Sequence, residues 1–134
     1  GKKYAIDNDK IILLDFTGWA CANCRRMEEN VWSKPAIFNL LDSEFVIISL
    51  YVDDRSKLSE EEEFKYLNSS GNIQYINNVG RRWSLFQQIN FSNASQPYYV
   101  AMMPSGKILT EPIQYASEKN FENWLRLSLE ESTK

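Results

Sequence analysis

The stretch Ile11 to Val31, IILLDFTGWACANCRRMEENV, sets the terms for the rest of the chain. An apolar run ends in an acid, a short loop carries two cysteines, and a helical pattern begins. Ile11 to Leu14 is continuously apolar, as in a strand covered on both faces, and this places Asp15 at the inner end of that strand. The whole reads as strand, loop and helix with a CxxC at the junction. Cys21 and Cys24 are the only cysteines in the chain, so a disulfide within one molecule has a single possible pairing. It would be a weak staple, since so small a ring constrains the unfolded chain by only ~2 kcal/mol. The pair is better suited to reactivity.

The reason is electrostatic. A helix N-terminus presents unpaired N–H groups and a partial positive charge, which favour a thiolate at the first cysteine. Cys21 is therefore the expected nucleophile. Cys24 shares a helical side with Met27 and Val31, so its spacing turns it toward the core as the resolving thiol. Such a pair exchanges a disulfide with a partner through a mixed disulfide that the second cysteine breaks.

Asp15, Cys21 and Cys24 stand in the order of the thioredoxin superfamily. More narrowly, DFTGWACANCRRMEENVW followed by Pro35 resembles the C-terminal thioredoxin-like domain of the DsbD family of thiol:disulfide interchange proteins. Members have an acid where Asp15 stands, the CxxC, and a Glu where Glu28 stands. The likeness extends through Tyr51 to Asp54, YVDD, and Asn93 to Val100, NASQPYYV, to the final helix.

That resemblance implies an α/β thioredoxin fold, a central mixed sheet of about four or five strands with helices on both faces. It implies dithiol–disulfide exchange, with disulfide-containing proteins as substrates and electrons from a membrane-embedded donor domain. It implies a periplasmic location, with this chain excised from a larger membrane protein, and no metal or organic cofactor. Pro97 resembles the superfamily's cis-proline, and recognition would run through main-chain contacts beside Gln96 and Pro97. Two departures stand out. The residue before the first cysteine is commonly Trp in the superfamily, but here it is Ala20, with Trp19 one position earlier. Trp19 either lines the partner groove or packs in the core. Ala22 and Asn23 also differ from the commoner pairs between the cysteines, a dipeptide that influences redox poise.

Size and charge narrow the rest. The 134 residues read as one domain, with 1–10 as a polar arm or short edge element and 131–134 as a frayed tail. A composition 43% hydrophobic and 13% aromatic is that of a globular chain. A formal net charge of −3 and the absence of a basic stripe argue against nucleic acid. No apolar run approaches the roughly 18 residues of a membrane span, so direct insertion is not expected. Zinc sites also use CxxC, but a chain with two cysteines and no histidine lacks a structural ligand set. The missing histidine also excludes Cys-His nucleophilic catalysis.

The remaining elements follow from pattern. Ser33 and Pro35 open a helix ending near Asp42 or Ser43, and Phe45 to Val52 is a second buried strand parallel to the first. Ser59 and Glu62 form a capping box, which predicts a helix start, and Asn68 to Asn78 reads as a loop. Val79, Trp83 and Phe86 mark an amphipathic helix to about Ile89, with the aromatic stripe in the core and Arg81 and Arg82 in solvent. Tyr98 to Met102 is a strand. Pro104 to Lys107 is a turn, and Pro112 makes Ile108 to Tyr115 an edge or broken strand. Ser117 and Glu118 open a last helix whose Phe121, Trp124, Leu125 and Leu129 share a face.

Two carboxylates beside the cysteines admit two readings each. Asp15 is either the polar end of a strand or a desolvated carboxylate that relays the proton of Cys24. Glu28, four residues past Cys24, is either a solvent-facing helix residue or a second tuner of the thiols. The alternatives to the DsbD-like role are a free-standing thioredoxin-like oxidoreductase and a redox-inactive binding or chaperone module of the same fold.

Overall fold

The computed structural model describes residues 1–134. In chain order it has α1 (Lys2–Asp7), β1 (Ile11–Thr17), α2 (Ala22–Met27), a π-helical turn (Glu28–Trp32), α3 (Pro35–Glu44) and β2 (Phe45–Tyr51). There follow β3 (Phe64–Leu67), β4 (Ile73–Ile76), α4 (Val79–Phe91), β5 (Tyr98–Met102) and α5 (Glu118–Ser132). The main sheet has the order β2-β1-β5, with β2 parallel and β5 antiparallel to the central β1. No helix is long and apolar enough to cross a membrane.

Every residue of β1 is buried, as the apolar run Ile11 to Leu14 predicts for its first half, and Asp15 and Thr17 are buried with it. The pleat sends alternate side chains to opposite faces. Ile11 and Leu13 join Met27, Val31, Ile37, Leu41, Tyr99, Phe121 and Leu125 on the side of α2, α3 and α5. Ile12, Leu14 and Phe16 join Ala5, Leu50, Tyr98 and Val100 on the other side, where Trp83 and Phe91 of α4 pack. Helices therefore cover both faces, as expected. The sheet has three continuous strands, and its fourth is reduced to bridges from Ile108 to Met102 and from Ile113 to Tyr99. Pro112, which lacks an N–H, lies in that broken segment.

Several expectations change. The N-terminal residues are not an arm: Lys2–Asp7 is a helix, with Ala5 fully buried against the face that carries Ile12 and Leu14. At the other end, α5 continues to Ser132, and the Thr133 hydroxyl donates to the Glu130 carbonyl at 2.9 Å. β2 is an edge strand with alternating burial, and Ile47 is 37% exposed.

The largest difference lies at 59–78. The Ser59 hydroxyl does donate to Glu62, at 2.9 Å, but no helix follows. One side-chain contact does not offset the cost of nucleating a helix. Phe64 to Leu67 instead pairs antiparallel with Ile73 to Ile76, closing a hairpin around Gly71 at φ +83°. Its inner face meets Leu58 and Leu85 through Ile76 and Tyr66. The Arg82 guanidinium pairs with Glu62, just before the hairpin, at 3.1 Å and lies over the Trp83 ring, in an ion pair that stays at the surface. On α4, Leu85 and Gln87 are buried, whereas Phe86 of the expected stripe is 37% exposed beside Phe16.

Gly80 shows how closely α4 seats on the end of β2. Its N–H donates to the Asp54 carbonyl at 2.8 Å, and a Cβ there would stand 2.5 Å from the Val52 carbonyl oxygen. Both neighbours are backbone and cannot yield cheaply. Gly80→Ala is expected to destabilise the fold by about 1–3 kcal/mol, read as a lower midpoint in urea unfolding. A melt identical to the parent's would show that the loop after β2 gives way freely.

Candidate active site

The end of β1 hands the chain to a tight loop, and a side chain from beyond β2 holds that loop. The Trp19 and Ala20 N–H groups donate to the two carboxylate oxygens of Asp53 at 3.0 and 3.1 Å. Gly18 lies against the same carboxylate, where a Cβ would stand 3.2 Å from Oδ2. Asp53 was not singled out by its pattern. Beyond its place in the run YVDD, its only signal is an acid just past a strand end, where a short carboxylate readily accepts backbone N–H groups.

The clamp delivers Cys21 to the N-terminus of α2. Cys21 is the N-cap residue, and its Sγ accepts the Cys24 N–H at 3.2 Å. Cys21 and Cys24 are joined as a disulfide, with Cα atoms 5.3 Å apart. Cys21 is half-exposed and Cys24 is 1% exposed, the asymmetry that the helical spacing predicts. Ala22 and Asn23 between them are exposed, and the Asn23 side-chain Oδ1 accepts from Arg26 at 3.0 Å. Trp19 does not pack in the core. It is 63% exposed and stacks on Tyr51, with ring centroids 4.0 Å apart, on the surface next to the clamped loop.

Beneath this surface Asp15 is 3% exposed. It lies opposite Ser49 of β2 and Tyr99 of β5 in the sheet register. The Ser49 hydroxyl donates to its Oδ2 at 3.0 Å. Burial, with a smaller push from the Glu28 charge, raises the Asp15 pKa from 3.8 to about 6, while the Ser49 hydrogen bond and Arg25 pull against it. Burial also lifts the Tyr99 hydroxyl far above the usual phenol range, helped by the Asp15 charge, so Tyr99 keeps its proton. Glu28 opens the π-helical turn, and Arg25 holds it at 2.9 Å. The same guanidinium nitrogen donates to the Thr17 hydroxyl at 3.0 Å. Glu28 is thus neither free in solvent nor bonded to Asp15. It acts on Asp15 through charge.

The Gln96–Pro97 peptide is cis. Tyr98 pairs with Phe16, so Pro97 stands at the end of the sheet where β1 enters the cysteine loop. A buried amide holds the segment before it. Gln87, fully buried on α4, donates to the Asn93 side chain at 3.0 Å and the Ser95 carbonyl at 2.8 Å, and accepts from Gln96 at 3.1 Å. Helical periodicity alone passed over Gln87, because a lone polar residue on a helix reads as solvent-facing. At the opposite end of the sheet, near Phe45 and Val46, lies an apolar cavity of about 340 Å³. It belongs to the packing of Trp32, Phe38 and Tyr4, not to the cysteines.

Comparison with known proteins bears on the fold. The family model of the thioredoxin-like domain matches residues 2–128. No curated protein matches the chain. Among solved structures, the DsbH oxidoreductase superposes with a TM-score of 0.65 at 14% identity, covering 96% of this chain and 78% of that one. A thioredoxin-fold protein from Helicobacter pylori gives 0.61 at 20% identity, with 89% and 68% covered. The C-terminal domain of DsbD from Neisseria meningitidis, in its reduced form, gives 0.58 at 15% identity, with 95% and 89% covered. At these identities the likeness is one of fold.

The buried acid has a measurable effect on stability. The native chain holds the Asp15 proton up to about pH 6, whereas an ordinary carboxyl releases it near 3.8. Native protein therefore binds more protons across that window, and stability falls as pH rises through it. Above it the ionised carboxylate costs the fold about 3 kcal/mol. Asp15→Asn is expected to be more stable than the parent at pH 7.5 and no more stable below about pH 4, as read by urea unfolding of the oxidised protein. A difference independent of pH would mean that Asp15 titrates as an ordinary surface acid.

Proposed function

The chain belongs to the thioredoxin-like domain family, and from that premise we propose that it is a thiol–disulfide oxidoreductase working through Cys21 and Cys24. The observation that carries this reading is the pair's asymmetry, a half-exposed sulfur capping a helix with a buried one behind it. In the reduced state the Cys21 thiolate attacks one sulfur of a protein disulfide and expels the other as a thiolate. Cys24 then gives its proton to Asp15, and its thiolate attacks the Cys21 sulfur, releasing the reduced substrate and closing the Cys21–Cys24 disulfide. Two electrons pass to the substrate. Asp15 suits the role, because a base works best when its pKa lies near the working pH. Glu28 sets the charge around it, with Arg25 as its counter-ion.

The finer reading is that of a reductant in the bacterial periplasm, acting on disulfide-containing proteins with electrons from a membrane-embedded donor domain of a longer protein. It is supported by the run DFTGWACANCRRMEENVW, by NASQPYYV, and by the fold shared with the DsbD domain. The disulfide itself carries the electrons, so neither metal nor organic cofactor is required. Partner main chain would lie along Gln96 and cis-Pro97, with Trp19, Ala22 and Asn23 on the exposed rim.

Two measurements test this. Cys24→Ser is expected to accumulate mixed disulfides on Cys21 when challenged with a disulfide-bonded protein, seen as mass-shifted adducts that thiols release. No adduct would leave a binding module that keeps the fold without the redox cycle. The equilibrium reduction potential of the pair is expected near that of thioredoxin, about −270 mV. A value near that of DsbA, about −120 mV, would make the protein an oxidant and end the DsbD-like reading.

A further inference from the structure

Ser49 is the one polar side chain within the strand FVIISLY, and neither the core nor the exchange chemistry above accounts for it. Its position does. It lies opposite Asp15 in the parallel ladder, on the edge strand, and is exposed where Asp15 is sealed. Of the hydrogen bonds in the structure, the Asp15 side chain makes one, from the Ser49 hydroxyl at 3.0 Å. A hydroxyl that donates its single hydrogen inward still has two lone pairs for water outside.

We propose that Ser49 is the positioning residue for the Asp15 base, a hydroxyl solvated on one side that holds the buried carboxylate ionised on the other. This rests on the exchange function proposed above. The other groups facing Asp15 do not fill the role. Tyr99 on β5 keeps its proton and makes no hydrogen bond to Asp15. Arg25 on α2 turns one guanidinium nitrogen to Thr17 and Glu28, leaves its buried Nε without a partner and reaches Asp15 only through charge, while Glu28 in the π-helical turn adds negative charge, which disfavours a second carboxylate. Cys24 is the acid whose proton Asp15 must accept. Without Ser49 the carboxylate would be an ion with no hydrogen-bond partner in an apolar site, and would hold its proton to higher pH. The step served is a simple transfer: the Cys24 S–H bond breaks, an Asp15 O–H bond forms, and the thiolate closes the disulfide as the substrate thiolate leaves.

Ser49→Ala and Ser49→Thr separate this from a structural role. In Ser49→Ala the carboxyl carbon of Asp15, followed by NMR in the reduced protein, is expected to titrate about one pH unit higher. Resolution of a preformed Cys21 mixed disulfide, followed by stopped flow, is then expected to be about fivefold slower at pH 6, with the gap closing by about pH 9. Ser49→Thr keeps the hydroxyl and is expected to restore both. An Asp15 titration unmoved in Ser49→Ala overturns the proposal, as does a rate loss equal at every pH. If the parent protein resolves no mixed disulfide, the exchange function fails, and the Asp15 titration still decides whether Ser49 holds the carboxylate.

Discussion

The structure depends on the complete burial of β1. A strand flanked on both sides and covered on both faces must be apolar along its length, and Ile11 to Leu14 meets that demand. Its pleat then divides the core in two, with Ile11 and Leu13 serving one helical layer and Ile12, Leu14 and Phe16 the other. Asp15 inherits the place of the next apolar residue on the first side. The fold therefore carries a carboxylate where its own logic calls for a leucine, and the cost of that choice appears as the raised proton affinity of Asp15.

A second constraint acts at the end of the sheet. The loop between β1 and α2 must expose one sulfur and bury the other, and it has little structure of its own. Its rigidity is borrowed. Asp53 takes two of its N–H groups, Gly80 lets α4 come against the backbone that carries Asp53, and Gln87 on the same helix ties down the segment entering cis-Pro97. α4 thus supports both banks of the site from behind, although none of its side chains takes part in the exchange.

Much of this was legible in the residues. The CxxC after an apolar run, the terminal helix on Phe121, Trp124 and Leu125, and the break at Pro112 depend on short-range rules, and each is found where its pattern puts it, whereas the cis-proline position came from the resemblance alone. The misreadings share one cause. Ser59 and Glu62 make the contact of a capping box, but Phe64 to Ile76 gains more by packing a hairpin on Leu58 and Leu85 than by extending a helix. The N-terminal residues look polar because one side chain, Ala5, does the packing. Asp53, Gln87 and Ser49 were passed over because their partners lie far along the chain or across the sheet.

The sequence by itself determined the local chemistry: which sulfur caps the helix and which is buried, and that an acid stands at the end of a buried strand. These follow from spacing, and spacing is local. Only the tertiary structure decided what that acid meets. The ladder register puts Ser49 beside Asp15, the edge position of β2 leaves the hydroxyl open to water, and the return of the chain past β2 places Asp53 under the cysteine loop. No periodicity encodes such pairings, because they arise between segments some thirty residues apart that are brought together by the pairing of β1 with β2.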